Sequence, residues 1–384
     1  MAEGCLRILV VANLPPHVMG GAENQVARLV EAWVSSGAEV AVAGHRIPEG
    51  IQTLGEARIR THHIRPWNFA GRLTRSLGYL LSLGRLVWRR RQDFDVVYCR
   101  GLADGALVIS LLATIGICPW RFIATPINAG GKGDAYFLRS VPGWRLWCQL
   151  LNRRLDVINL INPLISTELD GRGLCRPART AVPNGIVVQA GVSKERVGAI
   201  RRLIWTGRFE EQKGLDLLFN ALAKCKLAGA RFRLDLLGEG GRQESLRRLR
   251  DELGLKGEIT FVGPVAQDDV RARLENADVF VLPSRYEGMS NSGLEAMEAS
   301  LPVICTRCGG LDSHVETGAG WVCEPGDQED LARVLMEMLA MSDDGLLAMG
   351  RQARHLIESR FDIRQVASAN LAIMRALVAE EREV

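Results

Sequence analysis

Short apolar runs rich in Val, Ile and other strand formers recur along the chain, with longer amphipathic stretches between several of them. In the first half the runs are RILVVAN (7–13), EVAVAG (39–44), DVVYC (95–99), RFIATPI (121–127) and DVINLI (156–161). After residue 200 the pattern restarts with RLIWTG (202–207), FRLDLLG (232–238), ITFVG (259–263), DVFVLP (278–283) and PVICT (302–306). Strands that are apolar nearly throughout suit a parallel sheet covered by helices on both faces. The pattern therefore predicts an α/β fold twice over, as two Rossmann-like domains. Between them, AVPNGIVVQAGVSKE (181–195) offers Pro183 and Asn184-Gly185 as turn chemistry and no helical period. The expected organisation is a first domain over 1–181, a linker over 182–199, a second domain over 200–360, and a C-terminal helix over 361–384 returning to the first domain. Open α/β sheets bind ligands at the carboxyl ends of their strands. Two parallel sheets facing across a cleft would make that cleft the default site.

Composition narrows the class. A chain of 384 residues, 47% hydrophobic and 24% charged, can bury two ordinary cores and is neither disordered nor fibrous. Its nine Cys lack paired-motif spacing and read as reduced thiols of a cytoplasmic protein. Cys305 and Cys308 form a lone C-x-x-C, short of the four ligands of a structural zinc site, so no metal and no cofactor is expected. The opening MAEGCLRILVVAN has no charged n-region and too short an apolar run for a signal or a span, and no transmembrane stretch follows.

The net charge of +4 hides an asymmetry. Residues 1–181 carry 22 Lys and Arg against 13 Asp and Glu, +9, and the remainder carries 26 against 31, −5. The first half is thus suited to an anionic partner. Two of its helical stretches are basic and bear Trp. SVPGWRLWCQLLNRRLD (140–156) sets Trp144, Trp147, Leu150, Leu151 and Leu155 near one face, and GRLTRSLGYLLSLGRLVWRRRQ (71–92) ends in Arg89-Arg90-Arg91. Such helices can lie on an anionic membrane surface, or can simply pack their apolar faces on their own sheet.

The strand ends carry the candidate chemistry. Gly20 and Gly21 follow the first strand, before a helix beginning near Ala22. Paired glycines at a helix N-terminus admit an anion, although a plain tight turn also explains them. In WTGRFEEQKGLDLLFNAL, Arg208 lies just past a strand and Lys213 just before a helix. The two cations are placed to clamp a diphosphate, or are solvated surface charges. In SRYEGMSNSGLEAMEA, Glu287 sits in a turn after DVFVLP, and Glu295 at the start of a helix. Neither has a partner base or a ligand set, so the pair reads as a holder of hydroxyl groups. Glu298, in the same helix as Glu295, is expected to be exposed.

With GGAE (20–23), VPNGI (182–186), TGRFEEQKG (206–214), LLGEG (236–240), ITFVG (259–263) and ADVFVLPSRYEGMSNSGLEAMEASLPVICTRCGG (277–310) in this order, the chain resembles the retaining nucleotide-sugar glycosyltransferases of GT-B architecture, the glycosyl transferases group one family. The resemblance spans nearly the whole length and is loosest between 45 and 180. It implies roles residue by residue. Glu295 would accept hydrogen bonds from the donor ribose, and Glu287 would contact the donor sugar. The backbone of Gly288, Met289, Ser290 and Asn291 would line the same pocket, with Gly238 beside it. Arg208 and Lys213 would stabilise the departing phosphate, and Gly20 and Gly21 would close on it from the other domain. The implied reaction moves a hexosyl unit from a UDP- or GDP-sugar to a glycan or lipid-linked glycan in polysaccharide or cell-envelope synthesis. The implied location is cytoplasmic, on the inner face of the plasma membrane if the basic domain meets it.

One departure stands out. Where many relatives carry a histidine at the end of the strand RFIATPIN, this chain has Asn128, and none of its six His falls nearby in sequence. Asn128, or the backbone of AGGKG after it, would supply polar contacts to the sugar instead. A nucleotide-sugar-binding protein without transfer activity is the alternative that this departure favours. A nucleic-acid-binding protein is a weaker one, since no aromatic-basic recognition motif supports it. DFD (93–95) imitates a D-x-D metal motif but precedes a buried run and reads as structural. NAGGKGD (128–134) lacks the first Gly and the final Ser or Thr of a phosphate-binding P-loop.

Overall fold

The computed structural model describes residues 5–67, 72–131, 133–190 and 200–382, which form two compact units. The first comprises residues up to Val187 together with Ile363–Val384, and the second Val188–Asp362. Residues 191–199 of the expected linker and Lys132 of the NAGGKGD loop lie outside the described residues.

The first unit runs β1 (Arg7–Val11), α1 (Gly21–Ser35), β2 (Glu39–Gly44), β3 (Gly50–Leu54), β4 (Ala57–His63), α2 (Arg72–Arg89), β5 (Val96–Arg100), α3 (Asp104–Thr114), β6 (Arg121–Thr125), α4 (Asp134–Ser140), α5 (Trp144–Arg154), β7 (Val157–Asn159), α6 (Pro163–Asp170) and β8 (Ala178–Thr180). Its eight strands lie in the order β3-β4-β2-β1-β5-β6-β7-β8. All neighbours are parallel except β3 and β4, an antiparallel edge hairpin. β1 is the pivot: the chain moves from it toward β2, then returns to place β5 on its other side. Right-handed crossovers put α1 on one face of the sheet and α2, α3 and α5 on the other. Leu29, Val30 and Trp33 of α1 join the core with Val366, Leu371 and Met374 near the chain end. Asp95 is structural, as its sequence setting predicts. It accepts from the Arg7 backbone N–H at 2.9 Å and the Arg7 guanidinium at 2.7 Å.

The second unit runs β9 (Arg201–Thr206), a 3-10 turn at Glu211–Lys213, α7 (Leu215–Leu227), β10 (Phe232–Leu237), α8 (Gln243–Glu252), β11 (Ile259–Gly263), α9 (Gln267–Glu275), β12 (Val279–Leu282), α10 (Asn291–Glu298), β13 (Val303–Thr306), α11 (Asp312–Val315), β14 (Gly320–Cys323), α12 (Gln328–Ala340) and α13 (Asp343–Leu356). The chain then ends in α14 (Ile363–Arg382), which contributes to the core of the first unit. The sheet order is β11-β10-β9-β12-β13-β14, all parallel, with β9 as pivot. Its core holds Leu203, Trp205, Phe219, Leu234, Val279 and Leu335, all fully buried.

Glu298 corrects the expectation of an exposed side chain. It is 4% exposed. It pairs with Arg271 at 2.6 Å and Arg354 at 2.8 Å, and accepts the Gln189 backbone N–H at 3.0 Å. Its two cations lie on α9 and α13, so one carboxylate ties three helices together.

His314 on α11 meets Phe361 edge-on, with ring centres 4.9 Å apart, and burial holds its pKa below the ordinary 6.5. Above about pH 6.5 the imidazole is neutral in both folded and unfolded chains. Below it the unfolded chain gains a proton that the folded chain resists, so stability is lost as pH falls through this window. His314→Gln removes that loss. Its thermal midpoint relative to the native protein should be higher near pH 5 than near pH 7.5.

Candidate active site

In each unit the connection order reverses at the pivot strand, and open α/β sheets bind ligands at such switch points. In the second unit the reversal falls between β9 and β12, and the loops leaving those strands carry the predicted residues. Gly214 fits this place because it adopts φ +65°, and a Cβ there would overlap the Pro283 carbonyl oxygen. The 3-10 turn is thereby pressed against the loop after β12. Gly238, at the end of β10 with φ +128°, approaches the Gly207 carbonyl so closely that a Cβ would overlap it. The two loops are bonded together. Gln212 Nε2 donates to the Tyr286 carbonyl at 2.9 Å, and the Gln212 carbonyl accepts from Arg285 N–H at 2.8 Å. Arg285 reaches both carboxylate oxygens of Asp216 at 2.9 and 2.7 Å. Burial alone would raise Asp216, but this fork brings its pKa below the usual carboxylate value.

On that frame, Lys213 Nζ lies 2.6 Å from Glu287 Oε2, with both side chains mostly buried. Ser284 Oγ donates to the same oxygen at 3.2 Å. Ser290 caps α10, its Oγ accepting from Gly293 N–H at 3.2 Å. The helix starts at Asn291, so Gly288 to Asn291 form the approach to its N-terminus and Glu295 lies in the second turn, half-buried. Burial pushes up the pKa of Asp312, which lines the same small pocket as Glu287. Arg208 follows β9 as predicted, but its side chain is 69% exposed and rests on Glu210 at 2.9 Å. The structure thus joins Lys213 directly to Glu287 and leaves Arg208 at the rim.

The switch point of the first unit, between β1 and β5, holds a cavity of about 160 Å³. Asn13, Glu23, His45, Tyr79, Arg100 and Asp104 line it. Gly20 caps α1 in extended backbone and Gly21 opens the helix, which puts Glu23 in its first turn. Arg100 is held by Asn184 Oδ1 at 3.0 Å. Burial, then Arg46 and Arg75, hold His45 below its ordinary pKa, so its ring favours the neutral form. Sequence spacing leaves the end of RFIATPIN without a nearby histidine. In the fold, His45, one residue past β2, lines the same cavity as Ile127. Asn128 is half-buried three residues past β6. The loop after it is fixed by Asp134, which accepts the N–H groups of Leu102, Ile127 and Asn128 at 2.6, 2.7 and 3.2 Å. Glu23, His45, Tyr79 and Asp104 escape sequence reading because they come from four separate elements with no shared motif.

Two family models match the chain in tandem: a glycosyl transferase 4-like domain over residues 20–185, and glycosyl transferases group 1 over residues 200–341. The colanic acid biosynthesis glycosyltransferase WcaL of Salmonella typhimurium, a putative assignment for that protein, is 31% identical over 234 residues, 58% of this chain and 57% of that protein. Sucrose-phosphate synthase from Thermosynechococcus elongatus superposes with a TM-score of 0.80 at 19% identity, over 98% of this chain and 100% of that structure. Anabaena HepE in complex with UDP and glucose superposes with a TM-score of 0.74 at 19% identity, over 97% of this chain and 100% of that structure. The fold is the two-domain GT-B architecture that the family resemblance implies, built on the two Rossmann-like domains of the sequence pattern.

Proposed function

The chain is a glycosyltransferase of the glycosyl transferases group 1 family, and from that premise we propose that it moves a hexosyl unit from a UDP- or GDP-sugar to a glycan or lipid-linked glycan hydroxyl, with retention at the anomeric carbon. The observation that carries this reading is the Lys213–Glu287 pair at the β9/β12 switch point, beside the N-terminus of α10. A mostly buried cation next to a helix N-terminus favours a diphosphate. Glu295 and Glu287 offer carboxylate acceptors to ribose and sugar hydroxyls. The bound UDP of the Anabaena structure and the colanic acid role assigned to the Salmonella relative support the donor class and the polysaccharide or cell-envelope setting. The work is assigned to the cytoplasm, with the acceptor taken in the cavity of the first unit.

In this reaction the acceptor oxygen bonds to the anomeric carbon on the face from which the phosphate leaves. The breaking C–O bond puts charge on the leaving phosphate, and that phosphate takes the acceptor's proton. Lys213, with Arg208 at the rim, stabilises the charge, and the cavity aligns the hydroxyl.

Glu295→Gln tests the reading. It replaces the charged acceptor for the ribose and should weaken nucleoside diphosphate binding by about 1.5–3 kcal/mol in calorimetry. Glu287→Gln should spare the bare nucleotide and impair transfer. Unchanged affinity in Glu295→Gln would remove that residue from the site.

A further inference from the structure

We propose that the outer face of α2, continued by α4 and α5, docks on an anionic lipid bilayer. On α2, Leu83 and Val87 are fully buried, while Leu77, Leu81 and Trp88 are 46%, 51% and 58% exposed. At about 100° per residue these three fall within an arc of roughly 40°, so they form one stripe. Arg85 and Arg89, both exposed, run along its flank. Residues 72–91 contain six Arg and no Asp or Glu.

The neighbouring helices repeat the pattern. Residues 135–155 contain four Arg, at 139, 145, 153 and 154, again without an acid, and all four are exposed. Leu146 on α5 is 58% exposed and Tyr136 on α4 is 56% exposed. α3 packs against both α2 and α5, so the two helices share one layer of the first unit. The expected apolar face of α5 divides: Leu150, Leu151 and Leu155 are buried, and Trp144 and Trp147 are only half-buried. The exposed stripe belongs chiefly to α2, where the intensity of charge is also greatest.

Charge complementarity and the apolar stripe together select the occupant. A polyanion such as RNA would engage the arginines and have no use for Leu77, Leu81 or Leu146. An anionic bilayer uses both, with guanidinium groups at the headgroup phosphates and the stripe at the acyl boundary. No described helix is long and apolar enough to cross a membrane, so the contact is peripheral. This extends the reading of a lipid-linked acceptor, whose hydroxyl is presented at such a surface.

The test is cosedimentation of the full chain with large unilamellar vesicles of phosphatidylcholine and phosphatidylglycerol (3:1), against phosphatidylcholine alone, at about 0.1 M salt. The native protein should pellet with the anionic vesicles only. Leu77→Ser with Leu81→Ser and Trp88→Ser should weaken binding at least tenfold with an unchanged thermal midpoint, because the three side chains leave the core untouched. Arg85→Gln with Arg89→Gln should weaken it by roughly fivefold per charge. Native protein that ignores anionic vesicles overturns the proposal. So does an apolar variant that binds as the native protein does, or one that retains equal affinity for heparin and for vesicles, which would mark a polyanion surface. Release of nucleoside diphosphate from donor sugars in the same preparations reports separately on the transfer reading. Loss of docking with intact turnover sinks only the docking face, and docking without turnover sinks only the reaction.

Discussion

Lys213→Ala is expected to lower turnover by a factor on the order of 10²–10³, the usual effect of deleting one group aimed at developing charge. The alanine variant loses the cation proposed to face the leaving phosphate, and with it the ammonium that lies 2.6 Å from the Glu287 carboxylate, to which Ser284 Oγ also donates. Arg208→Ala should cost less, since that guanidinium is largely exposed and already engaged by Glu210. The pair of changes together should exceed Asn128→Ala in kcat. Nucleoside diphosphate release with a saturating donor sugar measures all three. If Asn128→Ala is the more damaging, a side chain past β6 is essential to the reaction and the phosphate-centred mechanism is wrong.

Glu298→Ala should strongly destabilise the second unit. Glu298 is 4% exposed, and its removal leaves the guanidinium groups of Arg271 and Arg354 without the anion that compensates their burial. Breaking a buried pair from one side costs about 3–5 kcal/mol. Both arginines retain other carboxylates, Glu275 at 2.9 Å and Glu358 at 2.7 Å, which places the expected loss at the lower end of that range. Urea unfolding of the second unit's transition reads the loss directly. Glu298→Gln, which keeps the hydrogen-bonding oxygen, should recover part of it.

The strands that were legible in the sequence are those carrying a near-continuous apolar run, most of them in the sheet interiors. β2 and β11 fall where their apolar runs predict, and most others agree to within a residue or two at each end. β3 and β4 were not legible, because an edge hairpin is half-exposed: Ala57, Ile59 and Thr61 alternate with Arg58 and Arg60, so no continuous apolar run announces them. β8 and β14, at the sheet edges, are only three and four residues long and give little signal. The second unit's site was legible because its residues lie within two short loops of one motif-bearing segment each. Glu298 was misread because an acid in a helix is ordinarily solvated, and its partners lie 27 and 56 residues away. His45 was missed for the same reason. A parallel sheet brings strand ends together that the chain keeps far apart, and no local pattern encodes that meeting.

Incubating the native protein with a panel of UDP- and GDP-sugars, and following by NMR the released nucleoside diphosphate and the anomer of the sugar first formed, tests the central claim most directly. The account predicts that at least one α-linked donor is turned over, that the first-formed sugar is the α-anomer, and that Lys213→Ala slows this release by a factor on the order of 10²–10³ while nucleotide still binds. Nucleotide binding with no donor turned over by the native protein, or release of the β-anomer from an α-donor, would contradict it.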